Sequence, residues 1–371
     1  MRKLRVGVIF GGRSAEKEVS LNSGRHVFNI LDRSRFEPVA IFMDARARLW
    51  NIPLTLVLQN TTADIAARLG EAERLPYESL KDRMDVAFLT TFGKYGEDGC
   101  LQGLLELVDV AYTGSGVLGA ALGSDKAMQR VLLAQNAKIN IPPYVVVPRS
   151  LDAARDDMSN YQLLITHYPV VVKPTREGST IGVTVVKKPE ELQPALEIAF
   201  QYDTAALVEP YLHGLEFSCV VLDGNPPQAL PPTETLHSGE LFSYHDKYMP
   251  GSSQKITPAR LSEGRLREIQ DMCVETFKTL GLRGYARIDG FVLQVEVRGW
   301  RLEVGESMLD VNGQMSNVAY PAGTVLITDP NVFSGMAPSS WTFHQAAAVG
   351  VTPQELLSRI LNIAVAKKSK H

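Results

Sequence analysis

Stretches that predict buried strands alternate with stretches that predict helices in the first third of the chain. Three apolar runs have strand length, and two segments carry apolar residues at helical spacing. The predicted strands are Leu4 to Phe10, Phe36 to Met43 and Val86 to Thr91, and the predicted helices are Glu18 to Leu31 and about Leu101 to Val108. Alternation of this kind is typical of a layered, parallel sheet, so we expect an N-terminal α/β domain over residues 1–124.

The pattern changes after residue 124. Ser124-Asp125-Lys126 is a capping pattern that opens another helix, and Pro142-Pro143 interrupts the chain before a short predicted strand. The segment 151–167 is polar with helical spacing. The strands predicted here are Tyr144 to Val147, Val170 to Pro174, Gly182 to Val186 and Ala206 to Tyr211. We therefore expect a central domain over residues 125–213.

Alternating apolar positions begin near Gly214 and predict strands with one buried face, as in Phe217 to Leu222. Helices are predicted at Glu268 to Leu280 and at Pro353 to Ala366. These elements indicate an α+β domain over residues 214–371. The complete chain is thus predicted to combine α/β and α+β architecture in three domains.

Composition narrows the classes of function. The chain has 371 residues, of which 45% are hydrophobic and 21% are charged, as in an ordinary globular protein of two or three domains. A formal net charge of -3 provides no positive field for nucleic acid or an anionic membrane, so neither is expected as a partner. Three widely separated cysteines argue against a disulfide framework and fit the cytoplasm. The apolar run behind the basic start is too short for an export signal.

The loop after Gly11-Gly12 carries an unexpected charge. The glycine spacing of the dinucleotide-binding fingerprint is absent, and Glu16 stands where it would repel a pyrophosphate. A carboxylate near a helix start is commonly a cap. The alternative is that Glu16 binds a cation, such as a substrate ammonium group, at the carboxyl end of the sheet, where ligands bind in folds of this class.

A candidate phosphate-binding loop follows a predicted strand. No GxxxxGK[ST] motif exists, but Lys173 precedes "REGSTIG", whose backbone amides and hydroxyls are suited to cover a polyphosphate while the lysine neutralises it. Lys126 is a second candidate, and Glu209 opens "EPYLHGLE" with an acceptor suited to a ribose or an adenine edge. A surface hairpin is the alternative for the loop, and the three residues are informative only together.

Two short motifs bring carboxylates to one face of a strand. Arg287 and Asp289 in "YARIDGFV" are two residues apart, and Asp329 and Asn331 in "ITDPNVFSGM" repeat that spacing. Three such oxygen ligands suit Mg²⁺, which prefers carboxylates together with substrate phosphates. A polar surface of paired strands is the alternative for either motif. The seven histidines show no HxxxH or HxxE spacing, which argues against a zinc site.

Eight stretches, taken in order, resemble the D-alanine–D-alanine ligase family of ATP-grasp enzymes over nearly the whole chain. They are "GGRSAEKEVSLNSG", "GKYGEDGCLQGLLE", "YTGSGVLGAALGSDK", "VVKPTREGSTIG", "EPYLHGLEFS", "YHDKY", "ARIDGF" and "DPNVFSGMAPSS". The resemblance implies a three-domain ATP-grasp fold that holds ATP between the central and C-terminal domains. It also implies ligation of two D-alanines through a D-alanyl phosphate for peptidoglycan precursors, with ATP, two Mg²⁺ or Mn²⁺ ions, a homodimer and the cytoplasm as its setting.

The resemblance assigns a role to each candidate residue. In the substrate sites, Glu16 would bind the ammonium of the first D-alanine and Ser340 the carboxylate of the second. Arg287 and the Gly335 amide would form an oxyanion hole. The remaining roles are phosphate binding by Lys126, Lys173 and Lys247, adenosine contacts by Glu209 and Glu216, site closure by Ser179 and Tyr248, and metal binding by Asp289, Asp329 and Asn331.

The chain departs from the family pattern at three places. Phe92 stands where the family usually has histidine before "GxxGEDG", which affects binding of the first substrate's carboxylate. The metal motif reads Asp-Pro-Asn in place of Glu-x-Asn. An insertion near residues 295–325 separates Asp289 from Asp329 and brings in Glu303 as a rival metal ligand. Two alternatives therefore stay open, namely a ligase of shifted amino-acid specificity and an inactive nucleotide-binding homologue, whereas "YHDKY" favours a dipeptide over a depsipeptide product.

Overall fold

The computed structural model of the protein describes residues 2–149, 167–237, 239, 253–300 and 318–368. Three sheets follow one another along the chain, and a separate two-stranded ladder lies near the end of the third. The helix predicted from the polar segment 151–167 lies almost entirely outside the described residues. Every helix among the described residues is too short or too polar to cross a membrane.

The first sheet has six strands in the order β4-β3-β2-β1-β5-β6. The strands are β1 Leu4–Gly11, β2 Phe36–Met43, β3 Leu49–Asn51, β4 Glu73–Leu75, β5 Val86–Leu89 and β6 Ala111–Tyr112. The helices are α1 Lys17–Ile30, α2 Leu54–Val57, α3 Thr62–Ala67, α4 Leu80–Arg83, α5 Cys100–Leu107 and α6 Val117–Gly123. The four strands β2, β1, β5 and β6 are parallel, as predicted, but β3 and β4 are antiparallel additions at one edge.

The second sheet is antiparallel, with the order β7-β10-β8-β9. Its elements are α7 Lys126–Leu133, β7 Val145–Pro148, β8 Val170–Pro174, β9 Thr184–Val186, α8 Leu192–Ala199 and β10 Ala205–Pro210. The helix α7 begins where the capping pattern predicts, because the Asp125 side chain accepts a hydrogen bond from the Met128 amide. Its last residue, Leu133, packs into the core of the third sheet.

The third sheet has the order β14-β13-β11-β15-β18, with β12 beside β11. The elements are β11 Gly214–Leu222, β12 Gln228–Ala229, β13 Thr233–His237, β14 Ser253–Ile256, α9 Glu263–Thr279, β15 Tyr285–Leu293, β16 Val297–Trp300, β17 Val318–Tyr320, β18 Val325–Asn331, α10 Trp341–Ala348 and α11 Pro353–Lys368. The helix α9 starts five residues before the prediction, because Ser262 caps a polar first turn that carries no apolar signal.

The last helix and the inserted segment attach to different parts of the structure. Leu356, Leu357 and Ile360 of α11 belong to the apolar core of the first sheet, so the end of the chain returns to its beginning. The inserted segment between β15 and β18 starts and ends as the antiparallel ladder β16-β17. The base of the insertion is thus a two-stranded ladder, whereas Glu303 lies outside the described residues.

Candidate active site

A cleft with a cavity of about 550 Å³ lies between the second and third sheets. Its walls combine side chains from β8, β10, β11, β15 and β18 with the loop after β8. The candidate residues that line it are Lys126, Lys173, Ser179, Glu209, Glu216, Arg287, Asp289 and Asp329. The structure thus brings together eight side chains that the sequence places up to 203 positions apart.

A buried ion-pair network forms the floor of this cleft. The Glu209 carboxylate lies 2.6 Å from the Lys173 ammonium and also accepts a 2.6 Å hydrogen bond from the Arg130 guanidinium. Burial alone would raise the pKa of Glu209, but the two cations outweigh it and the pKa is lowered. The pKa of Lys173 is also lowered, because burial of the ammonium outweighs the attraction of Glu209. Two cations thus share one carboxylate, and the excess positive charge suits a polyphosphate.

Lys126 contacts both the candidate phosphate-binding loop after β8 and the candidate metal ligand Asp329. Its ammonium donates a 2.6 Å hydrogen bond to the Glu177 carbonyl oxygen and lies 3.8 Å from an Asp329 carboxylate oxygen. Its backbone amide donates to the Thr175 carbonyl oxygen at 2.9 Å. The start of α7 is therefore fixed against the loop that follows β8.

Glu16 contacts this loop from the N-terminal sheet. Its side chain is 7% exposed and accepts a hydrogen bond from the Ser179 hydroxyl. It makes no capping hydrogen bond to α1, so the interpretation of Glu16 as a simple helix cap is not supported. A Cβ atom added to Gly178 would lie 2.8 Å from the Glu16 carboxylate, which explains the glycine at the closest approach of the loop.

A second carboxylate, Glu97, lies close to Glu16 and was not identified from the sequence. It accepts a 2.6 Å hydrogen bond from the Gly93 amide. Burial, followed by repulsion from Glu16, raises the pKa of Glu97 to about 8. Lys126 and Arg287 lower the pKa of the same carboxyl, so Glu97 interacts electrostatically with two cations that line the cleft.

Arg287 and Asp289 form an ion pair on one face of β15. Two hydrogen bonds of 2.9 Å join the Arg287 guanidinium to the two Asp289 carboxylate oxygens. Asp289 also accepts hydrogen bonds from the Ser218 hydroxyl at 2.7 Å and the Asn331 amide nitrogen at 3.0 Å. The two-residue spacing on the strand thus produces an ion pair.

The three metal-ligand candidates converge across two paired strands. Asp289 on β15 lies directly opposite Asp329 on β18, at a register irregularity. The Asn331 side-chain amide nitrogen donates hydrogen bonds to the Asp289 carboxylate and to the Asp329 backbone carbonyl oxygen. Among the described residues no cluster of three His, Cys, Asp or Glu side chains could hold a metal. The set here has two carboxylates, and its third member is an asparagine. Carboxylate and amide oxygens are ligands that Mg²⁺ accepts, so the donor set fits that ion.

Two further candidates, Ser340 and Gly335, lie near the start of α10. Ser340 precedes this helix and is 6% exposed, and its hydroxyl oxygen finds no hydrogen-bond partner among the described residues. Gly335 is close by, since a Cβ atom added to it would lie 3.8 Å from the Ser340 Cβ atom. The first residue of the helix, Trp341, lies 4.9 Å from the Arg287 guanidinium, measured from Cζ to the ring centroid.

Some predicted residues do not reach the cleft or cannot be placed. Lys247 and Tyr248 lie outside the described residues, so the predictions for them stay predictions. Phe92 is 8% exposed and belongs to the apolar core of the first sheet, and only its backbone carbonyl oxygen is engaged, by the Ser14 hydroxyl at 2.7 Å. The side chain thus supplies no polar contact where the family usually has histidine.

Arg130 is the main residue that sequence reasoning missed. Its side chain is completely buried, and it links Glu209 to the Thr328 carbonyl oxygen of β18 at 2.5 Å. A possible signal was its position four residues after Lys126 on the capped helix α7, which puts both cations on the same face. The partner, Glu209, is 79 positions away, so no local sequence pattern indicates the ion pair.

The chain is similar to known proteins along nearly its whole length. A family model described as "D-ala D-ala ligase N-terminus" matches residues 5–115, and one described as "D-ala D-ala ligase C-terminus" matches residues 133–304. A D-alanine–D-alanine ligase from Pelotomaculum thermopropionicum is 33% identical over 365 residues, which cover 98% of this chain and 97% of that protein.

Solved structures show the same likeness in three dimensions. The VanG D-Ala:D-Ser ligase from Enterococcus faecalis aligns with a TM-score of 0.79 and 26% identity over 98% of this chain and 100% of that one. The D-alanine–D-alanine ligase from Bacillus anthracis complexed with ATP aligns with a TM-score of 0.69 and 25% identity over 99% of each chain.

Proposed function

The chain belongs to the D-alanine–D-alanine ligase family, and on that premise we propose that it joins two D-alanines to D-alanyl-D-alanine at the expense of ATP. The fold is that of an ATP-grasp enzyme. The product is the dipeptide of peptidoglycan precursors, made in the cytoplasm by a homodimer.

The observation that carries the proposal is the grouping of charges in one cleft. Lys126, Lys173 and Arg287 line the cavity together with Asp289 and Asp329. The loop that bears Ser179 links this cavity to the Glu16 carboxylate. A polyphosphate needs cations, which the cleft supplies, and a free amino acid needs an anion for its ammonium, which Glu16 supplies next to the loop of the cleft.

In the first step, an oxygen of the first D-alanine carboxylate attacks the γ-phosphorus of ATP, the bond to ADP breaks, and an acyl phosphate forms. Glu16 holds the ammonium of this D-alanine. Lys126 and Lys173 offset the charge on the phosphates in the transition state, in which the attacking and leaving oxygens lie roughly in line.

Asp289, Asp329 and Asn331 would hold Mg²⁺, or Mn²⁺ in its place, and two such ions are expected. When bound, the ions neutralise phosphate oxygens and help to orient the γ-phosphoryl group. Glu209 and Glu216, which line the same cavity, would contact the adenosine end of ATP.

In the second step, the neutral amine of the second D-alanine attacks the acyl carbonyl carbon, a tetrahedral oxyanion forms, and phosphate leaves with the original carboxylate oxygen. Arg287 and the Gly335 amide stabilise the oxyanion, each contributing about 3 kcal/mol as donors in oxyanion holes do. The Ser179 loop and Tyr248 would close the site, and Lys247 would bind the phosphates. Exclusion of water preserves the acyl phosphate, which would otherwise hydrolyse.

The test is turnover of the purified chain with ATP and Mg²⁺, with D-alanine alone and with D-alanine plus D-lactate. ADP release and the mass of the product are both measured. We expect ADP and D-alanyl-D-alanine in equal amounts. ADP release with another amine but not with D-alanine would indicate shifted specificity, and ATP binding without ADP release under any substrate would indicate an inactive homologue; a dominant ester product would contradict the dipeptide assignment.

A further inference from the structure

A partly buried lysine, to which the family resemblance assigns no role, lies at the start of α10 beside Ser340. Lys255 is on β14, and its ammonium donates a 2.8 Å hydrogen bond to the Ser339 carbonyl oxygen. The same ammonium lies 4.3 Å from the ring centroid of Trp341. The two contacted residues, Ser339 and Trp341, flank Ser340 in the chain, so the Lys255 ammonium lies at the start of α10.

The charges around Lys255 have the same sign as its own. Burial, followed by repulsion from Arg287, lowers the pKa of Lys255 to about 8. Lys255 in turn helps to lower the pKa of His344 on α10, where burial is the larger cause. Among the described residues no carboxylate lies within ion-pair distance of the Lys255 ammonium, although most other buried cations of the chain have one. A partly buried cation without a counter-ion is destabilising until an anion binds.

Three features at this place favour an anion. The Ser340 hydroxyl is buried and has no hydrogen-bond partner among the described residues. The eight-residue helix α10 presents its N-terminus, the positive end of its dipole. The Lys255 ammonium supplies a full charge beside both, and the neighbouring side chains of Arg287 and Trp341 line the reaction cleft.

We propose that Lys255 is a specificity-determining residue that binds a carboxylate of the acceptor amino acid alongside Ser340. This inference rests on the proposed function, because it assigns the acceptor to the start of α10. The carboxylate is either the α-carboxylate of D-alanine or a side-chain carboxylate of an acidic acceptor such as D-aspartate. Both belong to the same chemical class, and the test below separates them.

The kinetic test compares Lys255→Met, which keeps the aliphatic stem, with the wild type and with Lys278→Met on the exposed face of α9. We expect Lys255→Met to raise the KM for the acceptor about tenfold to a hundredfold, as loss of one charge-assisted hydrogen bond does. The KM for ATP should stay within about twofold, and Lys255→Arg should recover most of the affinity. Lys278→Met should match the wild type. An acceptor KM that is unchanged in Lys255→Met would overturn the proposal.

Different acceptors identify the carboxylate. If Lys255 binds the α-carboxylate, the wild type prefers D-alanine to D-alaninamide and Lys255→Met loses that preference. If it binds a side-chain carboxylate, the wild type uses D-aspartate better than D-alanine and the variant loses that advantage instead. Either result supports the proposal. Equal discrimination by wild type and variant in both comparisons contradicts it.

A binding measurement keeps this inference separate from the proposed reaction. Calorimetry of the full chain with ADP and Mg²⁺ compares D-alanyl-D-alanine with its C-terminal amide. We expect the wild type to bind the free acid more tightly and Lys255→Met to lose the difference, with unchanged circular dichroism showing that the variant is folded. If the wild type forms no dipeptide but shows this difference, the reaction assignment fails and the role of Lys255 stands. If the wild type shows no preference for the free acid, the role of Lys255 fails.

Discussion

The Ser179 hydroxyl donates a hydrogen bond to the Glu16 carboxylate, which joins the loop of the second sheet to the start of α1 in the first. Neither residue belongs to the third sheet, where Arg287 and Asp289 lie. The contact therefore connects the ammonium-binding candidate to the cleft that holds the phosphate-binding candidates. It also places the loop so that Lys126 can donate to its backbone at Glu177.

Replacement of Glu16 by glutamine keeps the shape of the side chain and removes its charge. We expect the KM for the first D-alanine to rise about 100-fold, because an ammonium loses its buried counter-ion. Binding of ADP, measured by calorimetry, should be unchanged. Glu37→Gln, at an exposed position of β2, is the matched control. An effect on ADP binding alone would assign Glu16 to the nucleotide rather than to the amino acid.

Replacement of Lys173 by methionine removes one of the two cations that contact Glu209. We expect kcat to fall about 100-fold or more, because a charge partner of the transferred phosphoryl group is lost. Glu209 remains paired with Arg130, so the thermal midpoint should change little. Lys188→Met, an exposed lysine of the same region, is the control. Unchanged turnover in Lys173→Met would remove this lysine from the reaction.

The raised pKa of Glu97 predicts how stability depends on pH. The folded protein keeps this proton up to about pH 8, whereas the unfolded chain releases it near the ordinary value of 4.5. Stability from this group is therefore present below pH 4.5 and is lost as the pH rises toward 8. Urea midpoints at pH 5 and pH 8 should differ less in Glu97→Gln than in the wild type. An identical pH dependence in both proteins would show that Glu97 titrates normally.

Two carboxylates compete for the metal, and a spectroscopic titration separates them. We expect Asp329→Ala to weaken Mn²⁺ binding in the presence of ADP about tenfold or more, because the ligand set loses a charged oxygen. Glu303→Ala, in the inserted segment, should bind Mn²⁺ like the wild type. Electron paramagnetic resonance of free Mn²⁺ measures both. The reverse ranking of the two variants would make Glu303 the ligand.

The elements with strong local signals were predictable. Phe36–Met43 and Val170–Pro174 have the predicted limits, because apolar residues dominate each segment and polar or proline residues flank it. The strands Leu49–Asn51 and Glu73–Leu75 were not predicted, because they are three residues long and form through edge pairing with distant residues. The start of α9 at Glu263 was not predicted, because the first turn is polar and only the cap at Ser262 marks it.

The motifs of the candidate site were predictable from the sequence, but the interactions among its side chains were not. Lys173, Asp289 and Asn331 were found because each stands in a short stretch of distinctive composition. Arg130 and Lys255 were missed, because what distinguishes them is burial and the charges around them, which arise from packing of distant elements. The Arg287–Asp289 ion pair was not predictable for a related reason, since spacing on a strand fixes proximity but not whether two side chains pair with each other or with a ligand.

The central claim is that the carboxylate of the first D-alanine accepts a phosphoryl group before the second amine displaces it. The most direct measurement uses D-alanine labelled with ¹⁸O in both carboxylate oxygens, unlabelled ATP and unlabelled water, and detects the released phosphate by ³¹P NMR. The account predicts one ¹⁸O atom in each phosphate, because the bridging oxygen of the acyl phosphate leaves with phosphorus. Phosphate without ¹⁸O, formed alongside dipeptide, would contradict it.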